Sequence, residues 1–168
     1  MNNLYYIFQL LLLIITQVVV LNKINFSGYA DPMLYLCFFM IYPVQQNNGL
    51  LLLLATLSGF IIDCFSDTGG VFACATLSIV FIRPLFIRIF FGQNFENQPI
   101  NLLQVPIGVR VLYILLFVFI YQVLFYMLEI FNFQQFAYAF HKIIVSTLIT
   151  FIFCFLFFHI FGRRKSKF

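Results

Sequence analysis

Apolar residues run along this chain in long blocks broken by short polar interruptions, instead of recurring every third or fourth position as on a helix with one wet face. Such blocks are helices apolar around their whole circumference, and about 20 residues rising 1.5 Å each cross roughly 30 Å of hydrocarbon. The pattern predicts helices at about 4–21, 31–43, 50–63, 71–91, 108–131 and 142–161, with a short tail at 162–168. In the first block only Gln9, Thr16 and Gln17 interrupt the run. Met1-Asn2-Asn3 carries no Lys or Arg, and no small-x-small site precedes Asn22, so the block reads as a retained anchor and not a cleaved signal. Asp31-Pro32 opens the second block, with Asp as helix cap and Pro at the first helical position, and Tyr42-Pro43 closes it. The second and third blocks are short for a span, so tilt, local thinning or a re-entrant path is expected to cover the difference. The expected fold is all-α: one polytopic transmembrane domain over 1–168, with about six helices in one bundle.

Composition agrees and removes alternatives. Hydrophobic residues make up 64% of the chain, charged residues 8%, and the mean hydropathy is +1.05, whereas soluble domains are about half apolar and a quarter charged. The bilayer is therefore the expected partner of most of the surface. A net charge of +4 is scattered or gathered in the tail, without the basic face that tracks phosphates, so nucleic acid is excluded as a partner. An even number of spans leaves both termini on one side. The run Arg163-Arg164-Lys165-Ser166-Lys167 assigns that side to the cytoplasm. Arg88 and Arg110 then fall on the same side, Lys23 and Lys142 on the opposite one, and Arg83 within its helix.

The densest polar stretch is Gly59-Phe60-Ile61-Ile62-Asp63-Cys64-Phe65-Ser66-Asp67-Thr68-Gly69-Gly70, which closes the third helix and opens the fourth. Gly59, Asp63 and Ser66 share one helical face, where a small residue admits a neighbouring helix and a carboxylate one turn later accepts bonds from the turn or from the next helix N-terminus. Gly69-Gly70 supplies positive φ. The corner is either structural or a docking surface for a partner. Arg83 lies roughly 20 Å along its helix from Gly70, too deep for ordinary surface. Pro84 after it biases Arg83 away from helical geometry and frees a carbonyl for the guanidinium, and snorkelling is the plainer alternative. Asp31, Glu129, His141 and Lys142 read as interface residues at the outer helix ends, and His159 near the tail reads likewise. Gln17 and Gln122 read as interhelical hydrogen-bonders. Cys37, Cys64, Cys74 and Cys154 form no CxxC and have no His at ligand spacing, so they read as reduced thiols. HExxH, GxSxG, Walker and paired-carboxylate motifs are absent, and no catalytic, cofactor or metal role is assigned.

Between Gln17 and Gly92 the chain resembles the bacterial rod shape-determining membrane protein MreD family. The resemblance rests on Phe26-Ser27-Gly28-Tyr29-Ala30, then Asp31-Pro32 followed by Leu34-Tyr35-Leu36-Cys37-Phe38-Phe39 and Pro43. It continues with Gly59-x-x-x-Asp63-x-x-Ser66 running into Gly69-Gly70-Val71-Phe72-Ala73 and ending at Arg83-Pro84. The last two helices match in hydropathy alone, and Phe72 stands where a His is common in the family. The resemblance implies a non-enzymatic subunit of the wall-elongation complex in the inner membrane. Such a subunit associates with a bitopic MreC-like protein and, through it, with an MreB-like filament and peptidoglycan synthases. MreD-like proteins are also similar in architecture to the substrate-binding subunits of small vitamin transporters. That similarity keeps open the alternative of a small-molecule-binding transporter subunit, with Asp63 and Arg83 lining a pocket.

Overall fold

A computed structural model describes residues 3–21, 31–42, 48–92, 105–129 and 136–162. Among them there is no strand, and the elements form an all-α bundle of six helices. Helix α1 spans Asn3–Thr16 and continues through a π-helical turn, Gln17–Leu21. Then come α2 (Leu36–Ile41), α3 (Asn48–Ser66), α4 (Val71–Phe91), α5 (Ile107–Glu129) and α6 (Phe136–Gly162). Helices α3, α4, α5 and α6 are each long and apolar enough to cross a membrane, so the chain is a multi-pass membrane protein. The apolar run Tyr6–Leu21 is shorter. The basic tail 163–168, Lys23, Pro43, the loop 22–30 and the His159 side chain lie outside the described residues.

Helices α3 to α6 pack in chain order, each against the next, and α1 lies beside α3. Tyr6, Tyr42, Gly49 and Leu50 meet around one cavity, whereas Leu21, Asp31, Ser66 and Thr68 meet around another. The starts of α1 and α3 therefore share one end of the bundle, which we call the near end, and their last turns share the far end. Residues 31–42 run between the two.

The shortest element is the innermost. Met33, Tyr35, Leu36, Cys37 and Phe39 have no exposed surface, and Phe38 and Met40 have almost none. A stretch apolar on every side is a buried stretch, and here the other helices supply the cover. Outward, Phe8, Leu53, Phe60, Phe81, Ile89 and Met127 are more than half exposed, in the positions lipid would fill.

Three expectations about boundaries change, the sixth helix, expected over 142–161, running from Phe136 to Gly162. The second helix, expected over 31–43, is confined to Leu36–Ile41; residues 31–33 are irregular and Tyr42 leaves the helix. The third, expected over 50–63, runs from Asn48 to Ser66 and needs no thinning of the bilayer to cross. Its last turn is polar because those side chains face the interior or the turn that follows.

Candidate functional site

Asp31 and Pro32 do not cap a helix: α2 begins five residues later, behind Tyr35, with no side-chain cap. They belong instead to an extended strip whose backbone is satisfied by side chains. The Asp31 amide donates to Ser146 Oγ (3.2 Å) and the Met33 amide to Thr150 Oγ1 (3.2 Å). Alternate residues of an extended chain point the same way about 6.6 Å apart, and residues four apart on a helix are about 6.0 Å apart, so strip and helix register. On the opposite edge the Gln17 amide nitrogen donates to Pro32 O (2.9 Å), and its oxygen accepts the Leu34 amide (2.9 Å). Irregular backbone is tolerated at membrane depth when it is buried and bonded in this way.

Proton counting orients the hydroxyls. Tyr126 donates to Asp31 Oδ2 (3.2 Å), so its 2.8 Å bond to Ser146 is donated by the serine, and Ser146 accepts the Asp31 amide; the three residues close a ring. Deeper, Thr76 donates to Phe72 O (2.6 Å), so Tyr35 donates to Thr76 (2.7 Å) and Tyr121 to Tyr35 (2.6 Å). Gln122 donates to Thr150 (3.2 Å). Gln122 thus bonds between helices, as its apolar surroundings suggested, whereas Gln17 bonds the extended strip instead of a helix.

At the other end of α2, Arg83 is 3% exposed and its Nη2 donates to the carbonyl of Tyr42 and, at 3.5 Å, to that of Met40. A guanidinium there satisfies carbonyls that a helix C-terminus leaves unpaired and opposes the negative end of its dipole. Two parts of the sequence reading change. Arg83 does not snorkel, and it bonds α2 and not a carbonyl freed by Pro84, since α4 is unbroken from Val71 to Phe91 with Pro84 inside it.

The Gly59 to Gly70 corner closes on the chain itself. A Cβ on Gly59 would stand 2.4 Å from Ala73 Cα and 2.8 Å from Phe72 O, so α3 and α4 touch backbone to backbone at that point. One turn on, Asp63 is buried; its Oδ1 accepts the Thr68 hydroxyl (2.5 Å) and the Phe72 amide (3.0 Å), and its Oδ2 accepts the Ala73 amide (2.8 Å). The carboxylate caps the N-terminus of α4 from the preceding helix, where donors lack partners and negative charge is favoured. Ser66 ends α3, and Gly69 and Gly70 turn the chain with φ of 65° and 101°. Gly59 and Asp63 face inward, so the docking reading of these two residues gives way to the structural one. Asp63 and Arg83 sit at different ends of the bundle and line no common pocket.

The structure does bring Asp31-Pro32 and the Ser66–Thr68 turn together. With Gln17, Leu21, Met33, Phe65 and Phe72 they line a cavity of about 310 Å³ at the far end. The near-end cavity, about 400 Å³, is lined by Tyr6, Tyr42 and leucines of α3. Among the described residues no group of His, Cys, Asp or Glu is placed to hold a metal ion. Sequence reasoning missed Tyr35, Tyr121, Tyr126, Ser146 and Thr150. The available signal was hydroxyl residues at Ser146 and Thr150, one turn apart inside an apolar helix.

Compared with known proteins, the chain matches no family model, no curated protein and no solved structure.

Proposed function

We propose that this chain is a non-enzymatic scaffold subunit of the bacterial wall-elongation complex, held in the cytoplasmic membrane with both termini in the cytosol. The observation that carries this reading is the destination of the buried polar groups: Gln17, Arg83, Ser146 and Thr150 all bond the backbone of residues 31–42. Such polar chemistry fixes a shape, which a scaffold requires. The reading also draws on the resemblance to MreD between Gln17 and Gly92, and the partner it implies is a bitopic MreC-like protein, linked onward to an MreB-like filament and peptidoglycan synthases. Since Gly59 and Asp63 are engaged within the chain, the flank offered to that partner's helix is the outer face of α3. There Leu53, Leu57 and Phe60 are exposed at i, i+4 and i+7 and form one ridge.

Paired substitution Leu53→Ala and Phe60→Ala is expected to reduce co-purification of the bitopic partner at least several-fold with membrane insertion unchanged. The matched pair Leu148→Ala and Ile152→Ala on α6 should leave capture intact. If depletion of the chain left cell shape and wall incorporation normal, the scaffold reading would fall.

A second reading, a small-molecule-binding subunit of a transporter, draws on the far-end cavity with its carboxylate and hydroxyl lining. It is separated from the first by solute uptake: loss of uptake with intact cell shape on depletion would favour it.

A further inference from the structure

The described lining of the far-end cavity is chiefly hydrogen-bond acceptors and apolar surface, with the Ser66 hydroxyl beside them. Asp31 contributes a half-buried carboxylate; Oδ2 accepts Tyr126, and no described residue donates to its second oxygen. The only hydroxyl proton of Thr68 is already given to Asp63, so toward the cavity Thr68 can only accept. Both hydrogen-bonding atoms of the Gln17 amide are engaged with the strip. Among the described residues no Lys, Arg or His lines the space, and Phe65 and Phe72 bring apolar ring surface to its wall. The remaining charges described at that end of the bundle include Asp67 and Glu129. Lys142 is turned over the ring of Tyr126.

We infer that this cavity binds a small organic cation, an ammonium or guanidinium on a short aliphatic stem, with Asp31 as counter-ion. A carboxylate beside hydroxyl oxygens supplies acceptors for the N–H groups, and phenyl faces attract the charge as well as the methylenes. The volume suffices as well: about 310 Å³ is the share of roughly ten waters at about 30 Å³ each, room enough for a linear diamine or an alkylguanidine. The inference is independent of the scaffold reading, because it concerns the far end and not the outer face of α3.

Cadaverine and agmatine are the probes, titrated into the purified full-length chain in detergent while the thermal unfolding midpoint is read. A saturable rise is expected with both amines, and none with 1-pentanol or valerate, which match the stem without the positive charge. Asp31→Asn preserves shape and an acceptor for Tyr126, and should weaken the apparent affinity at least tenfold with the ligand-free midpoint little changed. Asp67→Asn, on an exposed carboxylate outside the cavity, should not. Phe65→Ala, at a wall residue 70% exposed, should weaken cadaverine binding several-fold whatever the folding of the Asp31 variant. The inference is overturned by the absence of a saturable rise up to about 10 mM amine, by an equal rise with pentanol, or by undiminished affinity in a folded Asp31→Asn protein.

Discussion

Gly59 carries no side chain because the backbone of α4 occupies the place where one would sit. A Cβ would lie 2.4 Å from Ala73 Cα, and a backbone atom cannot swing aside as a side-chain end can. Gly59→Leu is therefore expected to destabilise the bundle by at least about 2 kcal/mol, at the upper part of the range for overpacking, read as a lowered unfolding midpoint in detergent; an unchanged midpoint would mean the helices do not touch there. Arg83→Met should cost about 1.5–3 kcal/mol by leaving buried carbonyls without a donor, with Arg83→Lys intermediate because an ammonium still donates but from a single point. An Arg83→Met protein as stable as the parent would show that the guanidinium does not hold α2. Asp63 and Arg83 differ in how far the sequence revealed them. Asp63 could be assigned to the N-terminus of α4 because its donors lie nine and ten positions away. The acceptors of Arg83 are more than forty positions off, beyond any local pattern.

At the scale of elements, the 31–42 segment explains both what the hydropathy pattern revealed and what it hid. An apolar run bounded by Asp31-Pro32 and Tyr42-Pro43 was legible as buried and interrupted. Its division into strip and short helix was not, because hydropathy is blind to Ser146 and Thr150 more than a hundred positions away, which make an extended backbone affordable. The combined Ser146→Ala and Thr150→Val protein should lose about 4 kcal/mol, near 1 kcal/mol for each of the neutral bonds the two hydroxyls make to Asp31, Tyr126, Met33 and Gln122. It should also exchange the amides of Asp31 and Met33 faster than that of Phe39, which belongs to α2; exchange unchanged at all three would argue against the strip. Cys37 on α2 and Cys154 on α6 are both buried, and the two helices pack against each other. In a background carrying Cys64→Ser and Cys74→Ser, a short membrane-permeant dithiol crosslinker should therefore give an intramolecular product of altered gel mobility. Failure to crosslink at any dose that labels both thiols would separate α2 from α6.

For the whole molecule the decisive question is whether residues 31–42 cross the membrane or turn back, since every later helix inherits its direction from that step. Three extended residues at about 3.3 Å, a turn, and a six-residue helix at 1.5 Å span roughly 20–25 Å, enough to carry the chain from the far end to near the opposite face. Asp31 indeed meets Tyr126 late in α5, whereas Tyr42 meets Tyr6 early in α1 and Arg83 late in α4. A segment that returned would bring both of its ends to the same neighbours, and it does not. With the ends of the segment at opposite ends of the bundle, α3 starts where α1 starts, and the alternation of α3, α4, α5 and α6 returns the end of α6 to that same end. Arg88 and Arg110 lie toward that shared end and Lys142 toward the other, the asymmetry on which the proposed cytosolic placement of the shared end rests. Reporter fusions after Gln46, Thr68, Gln98 and Gln135 are thus expected to read inside, outside, inside, outside. A fusion after Ser27 reading inside, with Gln46 still inside, would make the central segment re-entrant and turn the first helix to the opposite orientation.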